Sequence, residues 1–467
     1  MPPSLALFLW LVLLLALLRF DPARNRGISL GLWVPVIWMF IAGSRLPAQW
    51  LSGQVGAPTM AAEAMEEGDP LNRAVYFALI LLAIGILISR SFKWGEFFAR
   101  NLALTAFLSF ALLSVLWSDF PDVAFKRWFR DLGNYLMILV VLSDPLPLEA
   151  VRTLLRRLCF LLVPLSVLLV KYYPQDAMHY GLYTGVPEYV GAATSKNMLG
   201  VACMISGLFL FWDTMTRWAD RKERQTRRII LVNVALIAMT LWLLNLSSSE
   251  TSRVCLVLGC LVIAAAHSKA AKRHPALVKV SIPLGICLYL ILAFGFGIDV
   301  NAAIAAAVGR DPTLTGRTVI WNAVLSTHTN PLLGAGYESF WLGPRLFKVW
   351  RQTGAGINEA HNGYLEVYLN QGFIGLFLLG GFLIASYRTI CRRLTPFSSF
   401  ASLTLALWTI LPFYNVTEAA FKGQLIFVVF LLGAIVVPRA PRVRGVSAAE
   451  GSSFEESPPE LREAVTA

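Results

Sequence analysis

A chain of 467 residues that is 57% hydrophobic and only 15% charged lacks the composition of a soluble enzyme of that size, which would divide into two or three charge-rich domains. Its apolar residues come in runs that match the roughly 20 residues needed to cross a bilayer's hydrocarbon core. The net charge of +12 lies between those runs rather than on any soluble module, which argues against nucleic-acid binding.

The first run, Ser4–Leu18, has no basic residues before it and no small-residue cleavage site after it, so it reads as a span rather than a removable signal peptide. Further spans are expected at 29–44, 74–89, 101–117, 132–143, 157–172, 197–212, 229–245, 253–267, 278–297, 362–387, 399–414 and 422–437, about 13 in all, with the fifth short. The expected fold is an all-α polytopic membrane protein of about 12–13 transmembrane helices, with one large external loop containing short helices. The chain divides into N-terminal helices (1–100), central helices (101–297), the loop (298–360), C-terminal helices (361–437) and a Pro-, Ser- and Glu-rich tail (438–467) expected to be disordered.

With the N-terminus outside, the inside connections and the tail carry 26 of the 40 Lys and Arg residues and the outside ones 14. Without the fifth span, the first four would flip and those from the sixth onward would keep their orientation. Cys159, Cys203, Cys255, Cys260 and Cys287 lie in apolar runs and Cys391 follows one; none forms a CxxC pair, and all six read as small buried hydrophobes.

Inside the loop, an alanine-rich helical stretch (Ala302–Val308) is followed by a break at Asp311-Pro312. A short amphipathic helix is expected from a Thr315 cap through Thr327, then the turn residues Asn330-Pro331 and Gly334-Ala335-Gly336-Tyr337. At least two of Tyr337, Phe340, Trp341 and Trp350 are expected to form an aromatic belt at the membrane surface.

Charge within the spans is scarce, Glu366 being the main exception, whereas ion-driven transporters place acids or bases near the midplane. Polar residues gather instead at the outer span ends. Ser195-Lys196-Asn197 opens the seventh span, and Ser247 to Arg253 opens the ninth. Arg317 lies in the loop, and Glu359, His361 and Asn362 open the eleventh. Taken singly, Lys196 and Arg253 read as cations reaching for lipid headgroups, Arg317 as a solvated helix residue and His361 as a helix-capping side chain. Together they suit a phosphorylated sugar: arginines grip diphosphates by forked hydrogen bonds, a histidine can act as a base, and aromatic faces accept sugar rings.

The segment His361-Asn362, nine residues, then Gly372-x-x-Gly375 resembles the motif of the O-antigen ligase and Wzy-type polysaccharide polymerase superfamily. Gly316-Arg317-Thr318-Val319-Ile320-Trp321 and Asn330-Pro331-Leu332-Leu333-Gly334-Ala335-Gly336 look like that family's periplasmic loop. Ser252-Arg253 is similar to its other arginine position, and Ser195 to Gly200 resembles its basic-Asn segment, particularly in exopolysaccharide polymerases; the likeness covers roughly residues 100–435.

The resemblance implies a glycosyltransferase of the GT-C-like type that needs no metal or other cofactor and faces the periplasm from the bacterial inner membrane. Its donor would be a glycan on undecaprenyl diphosphate, and its acceptor either another lipid-linked glycan or lipid A–core. A chain-length regulator is a further implied partner. Arg253 and Arg317 would clamp the departing diphosphate, with Lys196 and Asn197 beside them. His361 would accept the acceptor's proton or orient its hydroxyl, Glu359 would assist, and Asn362 would fix the histidine or the span start. Gly372 and Gly375 would allow close helix packing. The Lys196-Asn197 segment favours a polymerase over a ligase. The rival class is a lipid-linked oligosaccharide flippase, which would need a polar cavity through the bilayer.

Overall fold

In the computed structural model, residues 1–19, 21, 27–52, 68–180, 185–291, 317–354, 356–394 and 399–438 are described. The expected Ala302–Val308 helix, the Thr315 cap and the tail from 439 lie outside them.

Thirteen helices lie on the thirteen expected spans. They are α1 (Pro3–Arg19), α2 (Trp33–Ala42), α3 (Pro70–Ser89), α4 (Leu102–Leu113), α5 (Pro121–Leu142), α6 (Pro147–Tyr172), α7 (Lys196–Arg217), α8 (Arg224–Ser247), α9 (Glu250–His267) and α10 (Pro275–Leu290). Two loop helices follow, α11 (Arg317–Leu325) and α12 (Gly343–Thr353), then α13 (Gly363–Arg393), α14 (Ser399–Thr417) and α15 (Leu425–Ala434). Among the described residues seven helices are long and apolar enough to cross a membrane, or eight if the bent pair Trp94–Arg100 and Leu102–Trp117 is one span. The protein is a multi-pass membrane protein.

Local chemistry starts these helices where they begin. Asp69 accepts from the Leu71 and Asn72 N–H groups with Pro70 in the first turn, Ser195 accepts from Met198, and Asn362 accepts from Tyr364 and Leu365. Prolines also open α5 and α6. The doubtful fifth span is the second half of α5, where Gly133 to Val141 are buried. Its first half carries Lys126, Arg127, Arg130 and Asp131, too many charges for an apolar run to register.

α13 is two helices joined at Gly372, whose backbone (φ 63, ψ −162) only glycine adopts readily. Loop residues cross the helix there: Ala335 and Gly336 N–H donate to the Leu369 and Asn370 carbonyls, and Phe373 N–H donates to Pro331. A Cβ on Gly372 would lie 2.2 Å from the Leu332 backbone, and one on Gly375 would lie 2.3 Å from Gln371 of the same helix. The two glycines therefore serve a loop crossing and a local turn, not the helix–helix packing expected of them.

The loop has its own core. Phe340, Trp341, Val349, Ala360 and Leu369 are buried together, while the Trp321 and Trp350 indoles donate to the Ala360 and Ile357 carbonyls. The expected aromatic belt is thus a packed interior, because these rings close the loop onto the start of α13 instead of meeting lipid.

A short hairpin that the sequence did not announce, β1 (Met178–Tyr180) and β2 (Pro187–Tyr189), pairs antiparallel with His179 opposite Glu188. It precedes α7 and brings Glu188 beside Lys196.

Candidate functional site

Glu418 is the hub of the polar end of the bundle, and it was not foreseen. It follows α14, and its side chain is 5% exposed. Oε1 accepts from Arg317 Nη2 at 2.8 Å and from Asn197 Nδ2 at 3.0 Å, and Oε2 lies 3.7 Å from His361 Nδ1. One carboxylate therefore joins the loop helix α11, the first turn of α7 and the residue before the α13 cap.

The turn that presents Glu418 is fixed by Asn415, whose side-chain oxygen accepts from the Ala420 and Phe421 N–H groups. Gly363 lies against it so closely that a Cβ would fall 1.9 Å from Asn415 Oδ1. Asn362 caps α13 and donates to the Val416 carbonyl. The His-Asn-Gly triplet is thus explained by packing as well as by chemistry: the histidine projects, the asparagine caps and the glycine clears the neighbouring turn.

His361 has a left-handed backbone (φ 48), uncommon for a residue with a side chain and often found where function sustains strain. Its Nδ1 sits 2.8 Å from Glu359 Oε1 as an ion pair, without the alignment of a well-directed hydrogen bond. Burial alone would lower the imidazole pKa, but Glu359 and Glu418 outweigh it and raise it to about 10. Burial likewise pushes Glu359 up, and His361, Lys422 and Arg317 bring it down to about 2. At neutral pH the pair is an imidazolium and a carboxylate.

A second charged layer lies beneath. Lys422 Nζ is 3.1 Å from Glu366 Oε2, and the buried Glu366 carboxylate also accepts from the Trp341 indole at 3.0 Å. Burial disfavours the Lys422 charge, but Glu366, Glu338 and Glu359 together raise its pKa. Asn370 Oδ1 accepts from the Ser339 and Phe340 N–H groups, which anchors this turn of the loop against α13. Tyr337 donates to Asp131 Oδ2 at 2.9 Å, and Arg127 donates to the Glu338 carbonyl, so the charged half of α5 joins the same end.

Of the residues expected from sequence, Arg317, Asn197, His361 and Glu359 come together around Glu418, and Asn362 braces them. Two stand beside the cluster with local partners of their own. Lys196 pairs with Glu188 at 2.7 Å, and Arg253 pairs with Glu250 at 2.7 Å and donates to the Asn245 carbonyl. The Arg253 turn still abuts the hub, since Thr251 and Thr417 share a 2.9 Å hydroxyl contact and Gly200 packs against Ser249 and Ser252. Glu418 was legible only as the acid in the short polar turn between the last two spans. Asp131 and Arg127 precede the expected fifth span (132–143), in the charged first half of α5 that no apolar run announced.

Donor atoms of Glu359, His361 and Glu418 lie within 4.8 Å of one another, a spacing that suits a metal ion. The charge balance does not favour one, because Arg317 already neutralises Glu418 and the imidazolium neutralises Glu359.

Fold and site together define a multi-pass membrane protein in which Arg317, Asn197, Glu359 and His361 gather around Glu418. Residues 234–380 match the family model described as O-antigen ligase (Wzy_C). The chain is also similar to the exopolysaccharide production protein ExoQ of Rhizobium meliloti (strain 1021), 25% identical over 305 residues that span 64% of this chain and 67% of that protein. Both likenesses support the O-antigen ligase/polymerase-like family.

Proposed function

We propose that this protein transfers glycans from undecaprenyl diphosphate at the periplasmic face of the bacterial inner membrane, and that it acts as a polymerase in exopolysaccharide assembly. The observation that carries this reading is the Glu418 hub, which holds Arg317, Asn197 and His361 in one place. Outside the cytoplasm no nucleotide sugar is at hand, so the energy arrives in the donor's own phosphate ester. The enzyme then needs positioning and an anion clamp rather than an activating cosubstrate.

In this mechanism the donor diphosphate takes the place of Glu418 on Arg317. The guanidinium's forked donors suit it, and charge growing on the leaving diphosphate strengthens the contact as the sugar departs, which raises rate rather than affinity alone. Arg253 and Lys196, each with a single local acid, are the further cations within the neighbouring turns. His361, held charged by two carboxylates, orients the diphosphate or the acceptor hydroxyl instead of accepting a proton. No step calls on a metal ion.

Likeness to an exopolysaccharide production protein and the Lys196-Asn197 segment favour polymerase over ligase. The test is purified protein incubated with a labelled undecaprenyl-diphosphate repeat unit, with or without lipid A–core, in chelator. A ladder of longer lipid-linked glycans without lipid A–core supports the polymerase. One transfer seen only with lipid A–core assigns a ligase. No product with any donor, alongside passage of the labelled lipid across vesicle membranes, replaces the transferase with a flippase.

A further inference from the structure

Around the end of α11 the loop spends its polar side chains on its own folding. Ser326 donates to Gln352, Thr327 to the Val324 carbonyl and Lys348 to the Ser326 carbonyl, while Asn330 accepts from the Leu332 and Leu333 N–H groups. Three side chains stand apart. His328, Thr329 and Tyr368 have no side-chain hydrogen bond or ion pair among the described residues, and all three line one cavity of about 270 Å³.

The cavity lies between the two helices that carry the hub. At its start α11 places Arg317 on Glu418, in its middle Trp321 donates to the Ala360 carbonyl, and at its end Val324 and Leu325 wall the cavity. Opposite them on α13 are Tyr368 and Leu369, beyond the Asn362 cap. The helical rise of about 1.5 Å per residue puts the cavity about 10 Å along both helices from their hub ends. Val324 and Leu369 are buried, whereas His328 is exposed, so the space has an apolar floor and a polar rim.

This cavity is held in shape. Phe373 N–H donates to the carbonyl of Pro331 in the cavity wall, and the Tyr368 ring lies against Phe373 with centroids 5.0 Å apart. His328 has a left-handed backbone (φ 48), uncommon for a residue with a side chain and found disproportionately at ligand sites.

The lining selects the ligand. Apolar side chains accept C–H faces, two hydroxyls and an imidazole offer hydrogen bonds at fixed points, and no Asp, Glu, Lys or Arg is among the described lining residues. A diphosphate would call for cations, and a polyprenyl tail would leave the three polar groups unpaired. An uncharged sugar ring, with apolar faces and an edge of hydroxyls, meets both demands. The space is smaller than the roughly 300–1,000 Å³ of drug-sized ligand sites, which suits one ring rather than a chain.

We propose that this cavity is a saccharide subsite, which binds a neutral sugar of the glycan that is not itself reacting. The inference deepens the glycan-transfer reading above and rests on it for its role: the hub takes the diphosphate, and the cavity checks the carbohydrate attached to it.

The experiment uses the full chain in detergent and two probes, the oligosaccharide released from the lipid-linked repeat unit and undecaprenyl phosphate, which carries no glycan. Binding of each, and transfer between labelled lipid-linked repeat units, are measured for wild type and for the double variant Tyr368→Phe, His328→Gly. Phenylalanine keeps the ring against Phe373 and glycine accepts the left-handed backbone, so the unfolding temperature should hold. The variant is expected to lose oligosaccharide affinity by about tenfold and to raise KM by a similar factor at nearly constant kcat, because the lost hydrogen bonds serve ground and transition states alike. Binding of undecaprenyl phosphate should not change. Oligosaccharide affinity and KM within twofold of wild type overturn the subsite, as does a loss confined to undecaprenyl phosphate. If wild type transfers from no donor yet binds the oligosaccharide through these residues, the saccharide site stands and only the transfer reading falls. Neither transfer nor oligosaccharide binding by wild type overturns both.

Discussion

The two ends of the helix bundle both hold buried charge, but they balance it differently. At one end Asp213 is bound by Arg156, Arg217 and Asn233, Arg157 bonds Asp21 and stacks on Trp33, and Arg90 meets Asp144. Each charge has an opposite partner, and Arg156, Asp213 and Asn233 tie α6, α7 and α8 together. At the other end charges are shared among loops and helix starts. One carboxylate serves two donors and lies near a third cation, and the histidine beside it has a left-handed backbone. Saturated charge locks a fold, whereas charge held on movable turns can be handed to a substrate.

That contrast can be broken by substitution. Asp213→Ala should leave buried Arg156 with only Asp21 at 3.9 Å and cost about 3–5 kcal/mol of stability, read as a lowered unfolding temperature in detergent, with transfer per folded molecule nearly unchanged. Arg317→Ala should do the opposite, lowering transfer by about 10²–10³-fold with little change in unfolding temperature. If both variants lose stability alike, the two ends do not differ as described. Gly372→Ala, at a backbone position open to glycine alone, should cost about 1–3 kcal/mol and loosen the loop crossing, seen as faster proteolysis between 326 and 342.

The His361–Glu359 pair sharpens the comparison through pH. The imidazole pKa rises from 6.5 to about 10 on folding, so its contribution is complete below pH 6.5 and lost as pH climbs through about 10. The Glu359 pKa falls from 4.5 to about 2, so its contribution is complete above pH 4.5 and lost as pH drops through about 2. The stability difference between wild type and His361→Gln should therefore shrink steadily from pH 7 to pH 10. A constant difference over that range contradicts the pairing. The smallest effect is expected for Arg253→Ala, within about tenfold and mostly in KM, because that arginine rests on its own Glu250 and Asn245.

Much of this was legible in the chain. Apolar runs located helices at every expected span, of which seven or eight among the described residues are long and apolar enough to cross a membrane, and caps such as Asn362 marked helix starts. Asn197 and His361 stood out as polar residues at outer span ends, and Arg317 as an arginine of the loop. The hub did not, because Glu418 is the one acid in the short connection between α14 and α15 and only the fold brings it to Arg317, 101 residues away. The aromatic loop core was misread for a similar reason: a belt and a buried cluster use the same residues, and burial alone separates them. Gly372 was read as a helix contact because a loop crossing leaves no periodic trace.

The central claim is that Arg317 is held by Glu418 in readiness for a diphosphate. Equilibrium binding of an undecaprenyl-diphosphate-linked glycan to wild type, Glu418→Gln and Arg317→Ala tests it most directly. Freed of its counter-charge, Arg317 in Glu418→Gln should bind the donor several-fold more tightly than in wild type, and Arg317→Ala should bind it far more weakly. Equal affinity in all three would contradict the claim and leave the hub a structural ion pair.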